Sequence, residues 1–277
     1  MKSKAAMFAG SVLALFVLMA VFGPLLIPYD SVSTGVADRL LAPGSERSDG
    51  SLALLGTDQL GRDVLAQVIA GSRVSLLVGV TVVVVGGLLG LVLGLLAGYY
   101  GGWLDSVISR IGDMQLAFPS ILLAILLAGA LGPSLLNVII ALAVTRWVIF
   151  ARVVRGSTLS TRNREFVDSA RVMGASDSRI MAHYIFPSCL QPLLVAATVQ
   201  IGLTMVAEAA LSFLGLGVPI DQASWGSTIA NGRDYLASAW WIAAIPGIAL
   251  TLVVVCIGLL GDAARDSSDK SNEVVIR

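Results

Sequence analysis

Ionisable side chains are scarce in this sequence. Only 13% of its 277 residues are Asp, Glu, Lys or Arg, about half the share carried by an ordinary soluble domain. With 56% hydrophobic residues, disorder is excluded as well. The formal net charge is zero, so there is no basic footprint for nucleic acid. Lysine occurs only at positions 2, 4 and 270. No Gly-x4-Gly-Lys-Ser/Thr pattern is present, so this chain cannot supply a nucleotide phosphate loop and is not itself an ATPase. The single histidine, His183, cannot make a zinc site and completes no Ser/His/Asp set. The two cysteines, Cys189 and Cys256, lie far apart in apolar runs with neither disulfide-framework nor metal spacing. They are expected to be small core or lipid-facing residues, with no metal and no catalytic group.

What the sequence has instead is long charge-free runs. Residues 5–29, 74–104, 114–145, 187–207 and 235–261 contain no Asp, Glu, Lys or Arg. About 20 apolar residues suffice to cross a bilayer as a helix. The run 114–145 is too long for one span, and Gly132-Pro133 offers a break, because proline lacks a donor and disfavours helix just before it. The expected spans are 6–28, 74–98, 107–131, 134–157, 187–213 and 240–262. The fold class is an all-α polytopic membrane protein with six transmembrane helices. Its expected parts are an N-terminal tip and first helix (1–29), an outer loop (30–73), a five-helix core (74–263) interrupted by a polar loop (158–186), and a tail (264–277). The first run follows Lys2 and Lys4 as a signal peptide would. Its length and its Gly23-Pro24 ending, which is no small-x-small cleavage site, favour a retained helix.

Six spans put both termini on one side. If that side is cytoplasmic, twelve of the eighteen basic residues face inward, five (Arg39, Arg47, Arg62, Arg73, Arg233) face outward, and Arg146 falls inside a span. That asymmetry fits the positive-inside rule. In the outer loop, Leu60, Val64, Val68 and Ile69 suggest a loosely amphipathic helix before the second span. It would serve either as an interfacial helix aiming that span or as a contact for an outer partner.

The polar loop reads EFVDSARVMGASDSRIMAHYIFP over 165–187. Asn163 is the expected N-cap, and Phe166, Ala170 and Met173 the expected apolar face. Gly174 suits a left-handed helix end. Ser176 or Asp177 would cap a second short helix carrying Ile180, Met181 and Tyr184, and Pro187 would open the next span at its first turn. Such a pair could lie on lipid headgroups, but its mixed charges differ from the basic face that anionic lipid favours. Docking into a protein groove is the other possibility.

Inside the spans, Arg146 and Glu208 are the exceptions to apolarity, and intramembrane ionisable residues suggest function. Three roles are open: a structural ion pair, the lining of a water-filled path, or snorkelling to the interface. After Glu208, SFLGLGVPIDQASWGS (212–227) breaks the helix at Gly215, Gly217 and Pro219. Ser212, Asp221 and Trp225 then belong either to a re-entrant outer gate or to an ordinary loop with Trp225, Trp240 and Trp241 as an aromatic belt. Glycines spaced by three and four over 87–98 permit close helix approach within the chain or to a partner.

The loop 165–187 resembles the cytoplasmic loop of bacterial ABC-importer permeases: Glu-Ala-Ala, three residues, Gly, about nine residues, then a hydrophobic run ending in Leu-Pro. Here it reads Asp168-Ser169-Ala170, Arg171-Val172-Met173, Gly174, then ASDSRIMAHYIFP. Asp168, Ser169 and Phe186 depart from the pattern. GTDQLGRD (56–63), EAALSFLGLG (208–217), SWGSTIANGR (224–233), Trp240-Trp241 with Pro246-Gly247, and GDAARD (261–266) are similar, in order, to the C-type permeases of the dipeptide/oligopeptide/nickel group. The resemblance implies one helix added to a five-helix core. It also implies a second, different permease, two ATPase subunits (or one fused ATPase) that bind the ATP and Mg, and an extracytoplasmic binding protein, all at the bacterial inner membrane. Phe166, Asp168, Ser169, Ala170, Arg171, Met173 and Gly174 would form the coupling helix, with Gly174 and Pro187 as hinges. Arg146, Glu208, Ser212 and Trp225 are the path or gate candidates. Di- or oligopeptides are the expected cargo. The alternatives are nickel or another non-peptide cargo in the same family, or an ion-coupled secondary transporter, for which no internal repeat is visible.

Overall fold

The computed structural model describes residues 2–27, 35–219 and 222–275. Ten helices make up most of it: α1 Lys2–Leu26, α2 Val64–Tyr100, α3 Gly102–Leu116, α4 Ser120–Leu131, α5 Leu135–Thr161, α6 Glu165–Val172, α7 Asp177–Arg179, α8 Phe186–Phe213, α9 Trp225–Gly232 and α10 Trp241–Val275. Among the described residues the strands are β1 Ser45–Glu46 and β2 Leu52–Ala53, a small antiparallel pair. Five helical stretches are long and apolar enough to span a membrane, or six if α3 and α4 count as one bent span. Asp221 lies outside the described residues.

The bent pair is a crossing. Its first end lies at the Gly101-Gly102 turn, where both glycines hold positive φ (67° and 56°) and Arg162 donates to the Gly98 carbonyl at 2.7 Å. Its last end lies beside Pro133, which shares a cavity with Ser212 and Tyr235 at the opposite end of the bundle. The single span expected at 107–131 is thus two helices meeting at 88°. Phe118-Pro119 makes the break: proline cannot donate to the helix ladder and its ring crowds the preceding turn. The break expected at Gly132-Pro133 is present, with Gly132 at φ +82°.

The second span begins earlier than expected. Asp63 caps α2, its carboxylate accepting from the Leu65 N–H at 2.7 Å. From there α2 runs for 37 residues without interruption. Its first turns, with Val64, Val68 and Ile69, are buried, so among the described residues the expected amphipathic stretch is the start of α2 rather than a separate interfacial helix. Their apolar side chains point into protein: α1 packs against this end of α2 and against α10.

α2 and α5 form the most intimate pair. Gly86, Gly90, Gly94 and Gly98 place one glycine per turn against α5. A Cβ at Gly90 would run into Phe150, one at Gly94 would lie 2.5 Å from the Ala151 carbonyl, and one at Gly98 would lie 2.6 Å from the Thr158 Cβ. The glycines therefore serve packing within the chain. α8 fills the third side, against α2, α5 and α10. Both cysteines are buried.

Candidate functional site

Two ends of the bundle carry the polar structure. At one, α6 lies across the ends of α2, α5 and α8. Val167 and Ala170 are fully buried, and Val167 packs with Val154, Ile180, Ile185 and Cys189. The inward face is therefore Val167/Ala170, and the expected Phe166/Ala170/Met173 face is corrected. Both sets fit helical spacing, so periodicity alone left the register undecided. The consequence is that Phe166 (45% exposed), Met173 (77%) and Val172 (89%) project outward. Phe166 stacks on Tyr184, ring centroids 6.4 Å apart. Asp168 and Arg171 pair at 2.8 Å on the exposed face, an i,i+3 contact of about 0.3–0.5 kcal/mol. Ser169 is also exposed, while Ala170 belongs to the packing side. Val172, the most exposed of these, escaped the sequence analysis because it lies outside the apolar face expected from spacing.

The expected caps differ too. α6 starts after Arg164, with no side-chain cap from Asn163. Gly174 takes φ +84°, so the helix ends in the left-handed turn anticipated. The second helix does not stop before the next span. α7 passes through a π-helical turn, Ile180–Ile185, straight into α8, a continuous stretch from Asp177 to Phe213. The Phe186 N–H bonds to the Met181 carbonyl, five residues back. A turn widened in this way accommodates the missing donor of Pro187. Pro187 is therefore inside a helical rod. Tyr99 donates to Asp177 at 2.6 Å and Thr161 contacts Ser188 at 2.9 Å, tying this rod to α2 and α5. His183 is exposed on the π turn.

At the other end, the segment 35–63 folds over α9 and α10. Asp58, fully buried, accepts from the Leu60 and Arg62 backbone N–H groups, from Arg62 Nε at 2.7 Å, and from Gln67 Nε2 at 2.9 Å. Thr228 of α9 donates in turn to Gln67 Oε1 at 3.3 Å, and the Trp241 indole donates to the Thr57 carbonyl at 3.1 Å. GTDQLGRD is thus a folded cap joining the loop to α2, α9 and α10. Beside it opens a cavity of about 920 Å3, whose lining includes Gln59, Arg62, Ser212, Ser227, Arg233 and Tyr235. A second cavity, about 460 Å3, lies between α2, α3 and α5, near the Asp105–Arg155 pair at 2.5 Å.

Of the path and gate candidates, Ser212 lines the larger cavity and donates to Glu208 Oε1 at 2.7 Å. Glu208 lies one turn deeper, fully buried, and also accepts from Ser75 of α2 at 3.0 Å. Arg146 does not pair with it. Half-buried on α5, Arg146 reaches the Leu203 carbonyl through Nη2 at 3.4 Å, and its Nε has no partner among the described residues. Trp225 lies in the core rather than in an aromatic belt: it is fully buried, donates to the Val68 carbonyl at 2.9 Å and meets Phe16 edge-on. Trp241 is buried likewise, leaving Trp240, 55% exposed, as the outward member of the expected belt. Sequence reasoning missed Gln200 and Thr204. Both are buried, and each carries a side-chain oxygen without a partner among the described residues. Their signal was present as the four-residue interval to Glu208 and Ser212.

Residues 90–273 match the family described as binding-protein-dependent transport system inner membrane component, and residues 1–43 match the N-terminal TM domain of oligopeptide transport permease C. A dipeptide transport system permease protein of Alkalihalophilus pseudofirmus is 41% identical over 268 residues, covering 97% of this chain and 86% of that protein. A di/tripeptide transport system permease protein of Pseudomonas aeruginosa is 40% identical over 259 residues, covering 92% and 84%. The crystal structure of an amino acid ABC transporter with histidines shares the fold, with TM-score 0.56 and 16% identity over 72% of this chain and 92% of that one. With its helical bundle and both of its segments matched, the chain belongs to the binding-protein-dependent inner membrane components, the multi-pass permeases of ABC importers.

Proposed function

We propose that this permease carries short peptides inward, and that its α6 end is cytoplasmic and receives the ATPase. The observation that carries the docking assignment is the outward projection of Val172, Met173 and Phe166 from a helix whose other face is anchored by Val167 and Ala170. An apolar tip on a short, firmly seated helix is what a groove in a partner recognises. The peptide assignment rests on the relatives named for dipeptide and di/tripeptide transport. The full assembly would add a second permease, two ATPase subunits (or one fused ATPase) holding ATP and Mg, and an extracytoplasmic binding protein that meets the cavity end.

The geometry suggests how the stroke is transmitted. α6 is joined through Gly174 to a rod that runs unbroken from Asp177 to Phe213. A shift of α6 with the ATPase moves the base of α8 and tilts the helix whose far end holds Ser212 at the cavity. Alternating access then needs two arrangements of this rod, each favoured by one nucleotide state. The test is affinity purification from mildly solubilised membranes, with the wild type beside the Val172→Asp/Met173→Asp variant. The expected result is a P-loop ATPase and a second permease with the wild type, and the second permease alone with the variant. ATPase recovered equally with both would overturn the docking face. Proteoliposomes of the wild-type assembly that fail to take up dipeptide delivered by its binding protein would overturn the cargo.

A further inference from the structure

α2 begins in the folded outer cap and ends at the docking end. Asp63 caps its first turn, and Gln67, just beyond, bonds to the buried Asp58. The helix then runs unbroken to Tyr99 and Tyr100, about 55 Å along its axis at 1.5 Å per residue. Tyr99 meets the docking end with both parts of its side chain. The ring packs against the cluster of Val154, Val167, Ile180, Ile185 and Cys189, and Tyr100 stands edge-on to it with centroids 5.2 Å apart. The hydroxyl donates to Asp177 at 2.6 Å. A ring held in this way has little rotamer freedom left to lose, so its hydrogen bond fixes a geometry that two long, exposed side chains would not. The backbone is fastened as well. Arg162 of α5 donates to the Gly98 and Tyr99 carbonyls at 2.7 and 3.3 Å, a cation at the helix end where the dipole favours one.

The place of Asp177 in the chain gives this bond its consequence. Gly174 takes φ +84°, and a Cβ there would meet nothing within 4 Å. It is a bend with open space around it, between α6 and the rod that starts at Asp177. Such a bend can absorb a push on α6 by rotating. Tyr99 grips the rod at its first residue, three positions past the bend, whereas the Thr161–Ser188 contact lies further along and joins the rod to α5. Resting on the docking assignment above, we propose that Tyr99 is a positioning residue for energy coupling, bracing the start of the rod against α2. A displacement of α6 by the ATPase is then delivered to α2, and across the glycine seam to α5, instead of being taken up in the bend. The docking helix, the rod, α2 and α5 shift together. Because α2 continues into the cap held by Asp58, the same displacement reaches the outer surface. Without the brace, ATP is still hydrolysed, but less of each stroke arrives at the helices.

The test uses the assembled complex in proteoliposomes with its binding protein, measuring dipeptide uptake and ATP hydrolysis in the same vesicles. Tyr99→Phe removes the hydroxyl and keeps the ring. Asp177→Ala removes the acceptor, and Asp177→Asn keeps an oxygen that the phenol can reach. The expected result is that peptide taken up per ATP falls at least about fivefold in Tyr99→Phe and in Asp177→Ala, the low end of coupling between two sites. Asp177→Asn should stay near the wild type. The double variant Tyr99→Phe/Asp177→Ala should fall no further than either single one, as the two ends of one interaction require. Recovery of the ATPase and the melting temperature should match the wild type in all four, which a residue needed only for packing would not allow. Wild-type uptake per ATP in Tyr99→Phe or Asp177→Ala, or single losses that multiply in the double variant, would overturn the brace. Loss of the ATPase or a lowered melting temperature in Tyr99→Phe would overturn it too, leaving Tyr99 a packing residue. Wild-type vesicles that bind no ATPase or take up no dipeptide overturn the assignment above, and this inference with it.

Discussion

Gly90 and Gly87 are about one turn apart on α2 yet in opposite environments, and replacing each by alanine separates packing from helix propensity. A Cβ at Gly90 would collide with the Phe150 Cβ and lie 2.7 Å from both the Ala151 nitrogen and the Trp147 carbonyl oxygen, whereas one at Gly87 meets nothing within 4 Å. Ordinary contact starts near 3.4 Å, so α2 and α5 would have to part by about 0.7 Å at backbone atoms that cannot rotate away. Overpacking of this kind costs about 1–3 kcal/mol. Both variants share the gain of about 1 kcal/mol from replacing a helical glycine, so their difference isolates the packing cost. At roughly 2–4 °C per kcal/mol for a chain of this size, Gly90→Ala should melt about 2–12 °C below Gly87→Ala. The assay is loss of the folded peak in size-exclusion chromatography after stepwise heating of the detergent-solubilised proteins. Gly90→Ala melting at or above Gly87→Ala would refute the close α2–α5 contact.

Two further outcomes follow from the same geometry. Asp58→Asn turns an oxygen that receives Arg62 Nε and Gln67 Nε2 into a donor facing donors, leaving the buried Asp58–Arg62 pair broken. Such a loss costs about 3–5 kcal/mol, and the variant should melt well below the wild type; an unchanged melting temperature would remove the cap role of GTDQLGRD. Gly174→Val places a β-branched residue at φ +84° with no neighbour within 4 Å. The cost is the left-handed backbone alone, about 1–2 kcal/mol. Membrane insertion should be intact and uptake lost, and normal uptake would show that the bend after α6 does not govern coupling.

Much of the architecture was legible because the bilayer restricts the choices. Charge-free runs, and proline or glycine between them, are enough to mark spans when every backbone polar group must be satisfied inside its own helix. The limits of that reasoning appear at particular residues. Pro119 and Pro187 have the same local chemistry. One breaks a span into α3 and α4, and the other sits within a continuous rod beside a π turn. Nothing in the flanking residues distinguishes them, because the choice depends on whether neighbouring helices support the widened turn.

The docking segment shows the same division. Its motif spacing identified the segment and the left-handed Gly174, but which side of α6 faces outward was set by the pocket that Ile180, Ile185, Cys189 and Val154 make for Val167. Trp225 is a residue that interfaces favour, yet Val68 and Phe16, distant in sequence, enclose it. Glu208 and Arg146 stood out as charges at depth; their lack of a mutual bond was decided by Ser75, Ser212 and Leu203 offering partners of their own. The sequence by itself determined the membrane class, the order of the spans, with the second and fifth helices starting ten residues earlier than expected at Val64 and Asp177, and the segment proposed to meet the energy source, since these follow from hydropathy, backbone chemistry and short-range spacing. Burial, partner choice and the buried face of α8 were decided by the tertiary structure, because they depend on which helices come together, and that association is long-range.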